Sequence, residues 1–96
     1  MLVIVSYDVN TEDPAGRRRL RHVAKICKDY GQRIQKSVFE CNVDSTKLTV
    51  LKQRLLAEYD EDTDSLCFFN LGNKYQNKVS HYGSNSVVNL DEPVIF

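Results

Sequence analysis

One carboxylate, Asp8, directly follows the apolar run VIVSY and precedes the loop sequence VNTEDPAG. A side chain at the carboxyl end of a central strand can line an open crevice of the sheet. Mg²⁺ retains several waters and often takes only one or two protein carboxylates, so the Asp8 residues of two symmetric copies could hold one ion. Such carboxylate sites accept Mn²⁺ as well. The alternative is that Asp8 only caps the following loop through an Asx turn.

A basic segment between residues 17 and 36 is the second candidate, because it holds eight cations against one acid. The net charge of the chain is zero, but residues 58–64 hold five acids and no base, so the neutral total conceals one basic face. The arginines of the basic segment are Arg17, Arg18, Arg19, Arg21 and Arg33. Charge on the outer side of a helix is ordinarily a solvated face. The arginine density of RRRLR instead favours phosphate binding, and hence contact with a nucleic-acid backbone without base readout.

The length and composition limit the class of protein. With 96 residues the chain fits one domain, at a size where dimerisation often adds buried area. It has no apolar segment of about 18 residues and no leader-like start, so we expect a cytoplasmic protein without a membrane partner. Its three cysteines are odd in number and widely spaced, which predicts free buried thiols. No serine, cysteine or histidine has a base at catalytic spacing, so no nucleophile is indicated.

The first elements of the fold position Asp8 and the basic segment. Residues 2–7 are rich in β-branched apolar side chains, which predicts a central strand. Asp13 is the expected N-cap and Pro14 the first residue of a helix, and Gly31 is expected to end it. Apolar side chains recur in that helix at three- and four-residue spacing, so one stripe is buried and the opposite stripe is basic.

The remaining elements complete the sheet. Residues 32–43 are expected to form two short strands with a break near residue 36. Asp44 offers a cap for a second helix that runs to about residue 59, and residues 65–71 form a fourth strand. The order βαββαβ predicts a ferredoxin-like α+β fold, in which an antiparallel sheet carries both helices on one face.

The other face of the sheet has no cover within the chain. Its expected lining is apolar: Val3, Val5, Phe39 or Cys41, and Phe68 or Phe69. Monomers rarely leave such a patch exposed, so a face-to-face homodimer is predicted. Residues 1–78 are expected to form the domain. Residues 79–96 are expected to be a tail whose short strands add to the sheet edge and pack on the partner subunit.

Four stretches together resemble one family. They are VSYDV at the first strand end, RRRLRHVAKICKDYG in the first helix, QRIQKSVFEC across the next strands and DSLCFFNLG at the fourth. The chain is identified by them as a member of the CRISPR-associated protein 2 family. The ending LDEPVIF resembles the short form found in subtype I-C systems.

The resemblance implies a ferredoxin-like homodimer in bacterial or archaeal cytoplasm, with a metal-site aspartate at Asp8. It implies nucleic-acid contacts at the preceding tyrosine, at the basic positions and at the serine and aromatic residue after the second strand. These are Tyr7, Arg17, Arg19, Arg21, Arg33, Ser37 and Phe39, and the run RRRLR adds Arg18.

Two roles of different class are implied by the resemblance. One is a Mg²⁺-dependent endonuclease on double-stranded DNA or single-stranded RNA that takes part in spacer acquisition. The other is a non-catalytic scaffold, in which the homodimer bridges two dimers of the CRISPR-associated integrase and holds protospacer DNA. A small-molecule-sensing ferredoxin-like domain is a third hypothesis, and the arginine-dense helix speaks against it because it predicts salt-sensitive DNA binding.

Overall fold

The fold is a four-stranded sheet that carries two helices. The computed structural model describes residues 1–83. Its elements, in chain order, are β1 (Leu2–Asp8), α1 (Pro14–Lys28), β2 (Gly31–Gln35), β3 (Val38–Asn42), α2 (Ser45–Leu56) and β4 (Ser65–Gly72). The strands lie in the order β2-β3-β1-β4 and every neighbouring pair is antiparallel. The predicted ferredoxin-like α+β fold is thereby confirmed. Neither α1 nor α2 has the length and apolar content of a membrane span.

Both helices begin at the capping residues that the sequence predicts. The Asp13 carboxylate accepts a hydrogen bond from the backbone N–H of Ala15 at 3.0 Å. Asp44 caps α2 in the same way, by accepting from the N–H of Lys47 at 2.8 Å. Each cap satisfies a backbone donor that the helix itself leaves without a partner. α2 ends at Leu56, earlier than predicted, and the chain continues in tight turns.

Gly31 does not end α1, so that prediction is wrong. α1 ends at Lys28, with Asp29 as its C-cap, and Gly31 is the first residue of β2. A Cβ atom at position 31 would lie 1.8 Å from the carbonyl oxygen of Glu40 on β3. The glycine is therefore required by the close approach of two strands, a long-range feature that no local helix signal reports.

The core lies between the sheet and the helices. Alternate residues of β1 point into it, so Val3, Val5 and Tyr7 are buried against both helices. Phe39 and Cys41 on β3 are buried on the same side. The prediction that these valines and Phe39 or Cys41 line the uncovered face is therefore wrong, because the register of β1 turns them towards the helices.

The uncovered face, which neither α1 nor α2 covers, is formed by the other set of alternating residues. Ile4 lies between Glu40 on β3 and Phe69 on β4, and Ser6 lies between Val38 and Cys67. The Phe69 side chain remains 52% exposed, and Cys67 is exposed rather than buried. Phe69 therefore lies on this face as predicted, and Ile4 and Val38 lie there in place of the predicted valines, beside the polar side chains of Ser6 and Glu40.

The predicted tail begins within the described part of the chain. Residues 79–83 form no strand. The rest of the tail, from residue 84 on, lies outside the described residues. The packing of the tail on a partner, the division at residue 78 and the homodimer itself therefore stay predictions.

Candidate metal and nucleic-acid site

Asp8 is the last residue of β1 and is exposed. Its register partner is Ser65, the first residue of β4. On the other side of β1, the N–H of Tyr7 donates to the carbonyl oxygen of Ser37 at 2.9 Å, which holds the β2–β3 turn against the end of the strand. Asp8 and Ser37 are therefore brought to the same end of the sheet.

The loop after Asp8 is held by residues other than Asp8. The Asx interaction there is made by Asn10, whose side-chain oxygen accepts from the N–H of Glu12 at 2.9 Å. The guanidinium of Arg17 donates to the carbonyl oxygen of Thr11 at 2.9 Å. Within residues 1–83, the Asp8 side chain has no hydrogen bond or ion pair. The geometry therefore gives no support to the alternative that Asp8 is a loop cap.

The donor set around Asp8 is small for a divalent ion. Within the described residues, no three His, Cys, Asp or Glu side chains stand close enough to form a metal cluster. One exposed carboxylate is a hard oxygen ligand, which suits a cation that keeps most of its waters. Ile4, Ser6 and Asp8 alternate along β1, so Asp8 lies on the uncovered face of the sheet. A single copy thus supplies one oxygen ligand that suits Mg²⁺.

A second carboxylate, Asp64, is buried beside the end of β1. Its side chain is fully buried and forms a bidentate pair with Arg19, with Nε–Oδ2 at 2.8 Å and Nη2–Oδ1 at 3.1 Å. The Tyr7 hydroxyl donates to the same carboxylate. The backbone N–H of Asp60 at 3.0 Å and the hydroxyl of Thr63 at 3.1 Å complete its shell. The Asp64 cluster (Tyr7, Arg19, Asp60, Thr63 and Asp64) therefore joins β1, α1 and the loop before β4.

The ionisation of the cluster follows from these bonds. Burial by itself would raise the pKa of Asp64, but the hydrogen bonds from Arg19, Tyr7 and the Asp60 backbone outweigh it and lower that pKa to about 2. Burial first, and the bond to Asp64 second, raise the pKa of Tyr7 to about 12. The pKa of Arg19 is raised above its ordinary value, chiefly by the bond to Asp64. Asp64 is thus an anion and Tyr7 a neutral donor at neutral pH.

The predicted nucleic-acid residues fall into two groups. Tyr7 and Phe39 are buried, at 1% and 0% exposure, so neither ring can stack on a base in this conformation. Arg33 is exposed but lies over the Phe39 ring, 5.5 Å from its centroid, and its Nε donates to the carbonyl oxygen of Lys36 at 2.8 Å. Tyr7 and Phe39 therefore support the strands, and Arg33 is the member of this group that reaches the surface.

The second group is an exposed basic stripe along α1. Its members are Arg17, Arg18, Arg21, Lys25 and Lys28. The residues from 17 to 28 span about 16 Å at the helical rise of 1.5 Å per residue. Among residues 1–83, the side chains at 18, 21, 25 and 28 have no ion-pair partner. The basic stripe is therefore available to bind a polyanion.

Asp64 is the site residue that sequence reasoning missed. In the sequence it is one of the five acids of residues 58–64, and four other acids precede it within six residues. The available signal is its position, since it stands directly before the apolar strand that pairs with β1. An acid at that point lies next to a buried sheet edge and needs a partner.

Comparison with known proteins gives consistent matches. A family model described as CRISPR associated protein Cas2 matches residues 1–79. A protein of Halalkalibacterium halodurans called CRISPR-associated endonuclease Cas2 is 53% identical over 96 residues, which is 100% of both chains. A protein of Nitratidesulfovibrio vulgaris called CRISPR-associated endoribonuclease Cas2 is 53% identical over 95 residues, 99% of this chain and 93% of that one.

Solved structures match as well. The crystal structure of Streptococcus pyogenes Cas2 at pH 6.5 superposes with a TM-score of 0.81 and 57% identity, covering 86% of this chain and 100% of that chain. A hypothetical protein from Thermus thermophilus, TT1823, superposes with a TM-score of 0.71 and 30% identity, covering 90% of this chain and 94% of the other.

Proposed function

The chain belongs to the CRISPR-associated Cas2 family, and from that membership we propose that it is a cytoplasmic, divalent-metal-dependent endonuclease that takes part in spacer acquisition. The expected substrate is double-stranded DNA, and single-stranded RNA is the second candidate. The Halalkalibacterium halodurans relative is named an endonuclease and the Nitratidesulfovibrio vulgaris relative an endoribonuclease. Both names support hydrolysis of phosphodiester bonds as the common activity.

The observation that carries this proposal is Asp8. It is an exposed carboxylate without a protein partner among residues 1–83, at the end of a strand whose neighbours are fixed by hydrogen bonds. An ionised carboxylate in that setting is free to bind a cation. Since it lies on the uncovered face, a second copy docked face to face can bring its own Asp8 towards the first. The half-exposed Phe69 on β4, the edge strand of that face, supports such docking.

The residues of this chain have separate tasks in the proposed reaction. The two Asp8 carboxylates of the homodimer would hold Mg²⁺, or Mn²⁺ in its place. A bound ion of this kind supplies an activated water and neutralises charge that develops on the phosphate. The basic stripe on α1 binds the nucleic-acid backbone through its phosphates, without reading bases.

Removal of divalent metal is the direct test of this chemistry. Purified protein is expected to cut linear duplex DNA in Mg²⁺ and to lose the activity in excess EDTA, with recovery when Mg²⁺ is restored. Binding of the same duplex, measured by fluorescence anisotropy, should persist in EDTA because the basic stripe does not require the ion. Cleavage that continues in EDTA would contradict the proposal.

Binding by the basic stripe should depend steeply on salt. Each cation that neutralises a phosphate contributes about 0.9 to the slope of log K against log salt concentration. The double variant Arg21→Gln with Lys25→Gln is therefore expected to reduce that slope by about 1.8. Lys47→Gln on α2 removes one charge outside the stripe and should leave the slope near the wild-type value. Equal reductions in both variants would show a general charge effect and not a binding face.

The alternative function is a non-catalytic homodimeric scaffold that bridges CRISPR-associated integrase dimers and holds protospacer DNA. The basic stripe favours it, because such a surface binds duplex DNA whether or not the DNA is cut. The variant Asp8→Ala separates the two functions when cleavage and spacer acquisition are both measured. Lost cleavage with normal acquisition would favour the scaffold, whereas loss of both would link the nuclease to acquisition.

A further inference from the structure

Arg19 differs from the other arginines of its helix. Its side chain is 21% exposed, and two of its nitrogen atoms bond to the Asp64 carboxylate at 2.8 Å and 3.1 Å. Arg18 and Arg21 are exposed and have no partner within residues 1–83. The three residues share a charge and a helix, but only Arg19 is directed at a buried anion.

One member of the Asp64 cluster directly precedes Asp8 on β1, and another directly precedes the residue of β4 that pairs with Asp8. Tyr7, which donates to Asp64, directly precedes Asp8 on β1. Asp64 directly precedes Ser65, the register partner of Asp8 on β4. The same carboxylate therefore fixes the backbone on both sides of the β1–β4 pair where Asp8 emerges.

We infer that Arg19 and Asp64 are positioning residues for Asp8, and that Arg19 does not bind the phosphates of the substrate. The inference rests on the proposed nuclease function for its kinetic part. The Arg19–Asp64 pair is neutral as a whole, so it adds little to the field that attracts a polyanion. Its fork geometry instead ties α1 to the strand end, and Tyr7 transmits that constraint to Asp8.

The expected effect is on turnover. A displacement of about 1 Å at a reacting group can cost about 100-fold in rate. A lysine keeps the charge of Arg19 but cannot form two parallel bonds to a carboxylate. Arg19→Lys is therefore expected to lower kcat by about 10-fold or more while KM and the Kd for duplex DNA change less than about twofold. A phosphate ligand would behave differently, because a lysine there would largely preserve function.

Arg54 provides the matched control. It pairs with Asp29 at 3.1 Å, also between two elements, but at the opposite end of α1 from Asp8. Arg54→Lys should leave both kcat and KM at wild-type values. Thermal melts of both variants, followed by circular dichroism, show whether either has lost the fold at the assay temperature.

A binding experiment tests the same inference without catalysis. The double variant Arg19→Gln with Asp64→Asn removes both charges of the pair, so the net charge is unchanged. Its salt slope for duplex binding should equal that of the wild type, whereas Arg21→Gln should lower the slope by about 0.9.

Turnover of the same double variant provides a further test. Since Arg19 acts through Asp64, the double variant should lose no more turnover than Asp64→Asn alone.

Two results would overturn the inference. One is an Arg19→Lys enzyme with wild-type kcat, and the other is a double variant with a salt slope reduced as much as that of Arg21→Gln. If the wild-type protein cuts neither DNA nor RNA, the nuclease proposal fails by itself, and the salt slope alone then decides whether Arg19 contacts phosphates or Asp64.

Discussion

The Asp8→Asn variant is expected to lose metal-dependent cleavage of nucleic acid by well over 100-fold. Asparagine has nearly the same shape as aspartate, so the end of β1 should keep its structure, since the Asp8 side chain is exposed and makes no hydrogen bond or ion pair with the described residues. What the change removes is the negative charge that holds a divalent ion. Loss of a group that only supports a metal ligand costs about 10- to 100-fold, and loss of a ligand in both subunits should cost more.

Cleavage of duplex DNA and of single-stranded RNA, each in Mg²⁺, is the measurement. The control Glu61→Gln removes an exposed acid elsewhere in the described chain and should cut at the wild-type rate when purified in the same way. Duplex binding by Asp8→Asn should change by less than about twofold, because the phosphate contacts of the basic stripe remain. An Asp8→Asn protein that cuts at the wild-type rate would show that this carboxylate holds no catalytic ion.

Mixed dimers sharpen the same prediction. If each site needs the Asp8 of both subunits, only wild-type pairs are active. After subunit exchange, an equal mixture of wild type and Asp8→Asn should then retain about a quarter of the activity. If each site needs only the Asp8 of its own subunit, the mixture should retain about half of the activity. The two outcomes separate a shared site from two independent ones without any need for a structure of the complex.

The helices and strands of this fold can be predicted from the sequence because the residues that define their ends are close neighbours in the chain. The caps Asp13 and Asp44 lie beside the residues whose N–H groups they bond. The position of Asp8 follows from the end of one apolar run. These features depend on neighbours within a few residues, which sequence patterns record directly.

The faces of the sheet could not be predicted in the same way. The first four residues of β1 are all apolar, so among them a period of two does not distinguish Val3 and Val5 from Ile4. The side that faces the helices is decided by pairing with β3 and β4, which are far away in the chain. The pairing of Arg19 could not be predicted for the same reason, since its partner Asp64 is 45 residues away.

The stability of the domain should depend on Asp64 more than on any exposed acid. Hydrogen bonds to a charged group contribute about 1.5–3 kcal/mol, and Arg19 remains partly solvated when its partner loses its charge. Asp64→Asn is therefore expected to lower the free energy of unfolding at pH 7 by about 1.5–3 kcal/mol, against the roughly 5–15 kcal/mol typical of a domain. Asp29→Asn breaks an exposed pair with Arg54 and should cost less than about 1 kcal/mol.

The pH dependence identifies the cause of that loss. The pKa of Asp64 is lowered from an ordinary value of 3.8 to about 2 in the folded protein. A lowered pKa means that the carboxylate stabilises the fold fully above pH 4, and that this contribution disappears as pH falls from about 4 through 2. The difference in unfolding free energy between wild type and Asp64→Asn, from urea titrations at fixed protein concentration, should thus shrink over that interval. A difference that stays constant down to pH 2 would mean that packing, and not the ionised Asp64, accounts for the destabilisation.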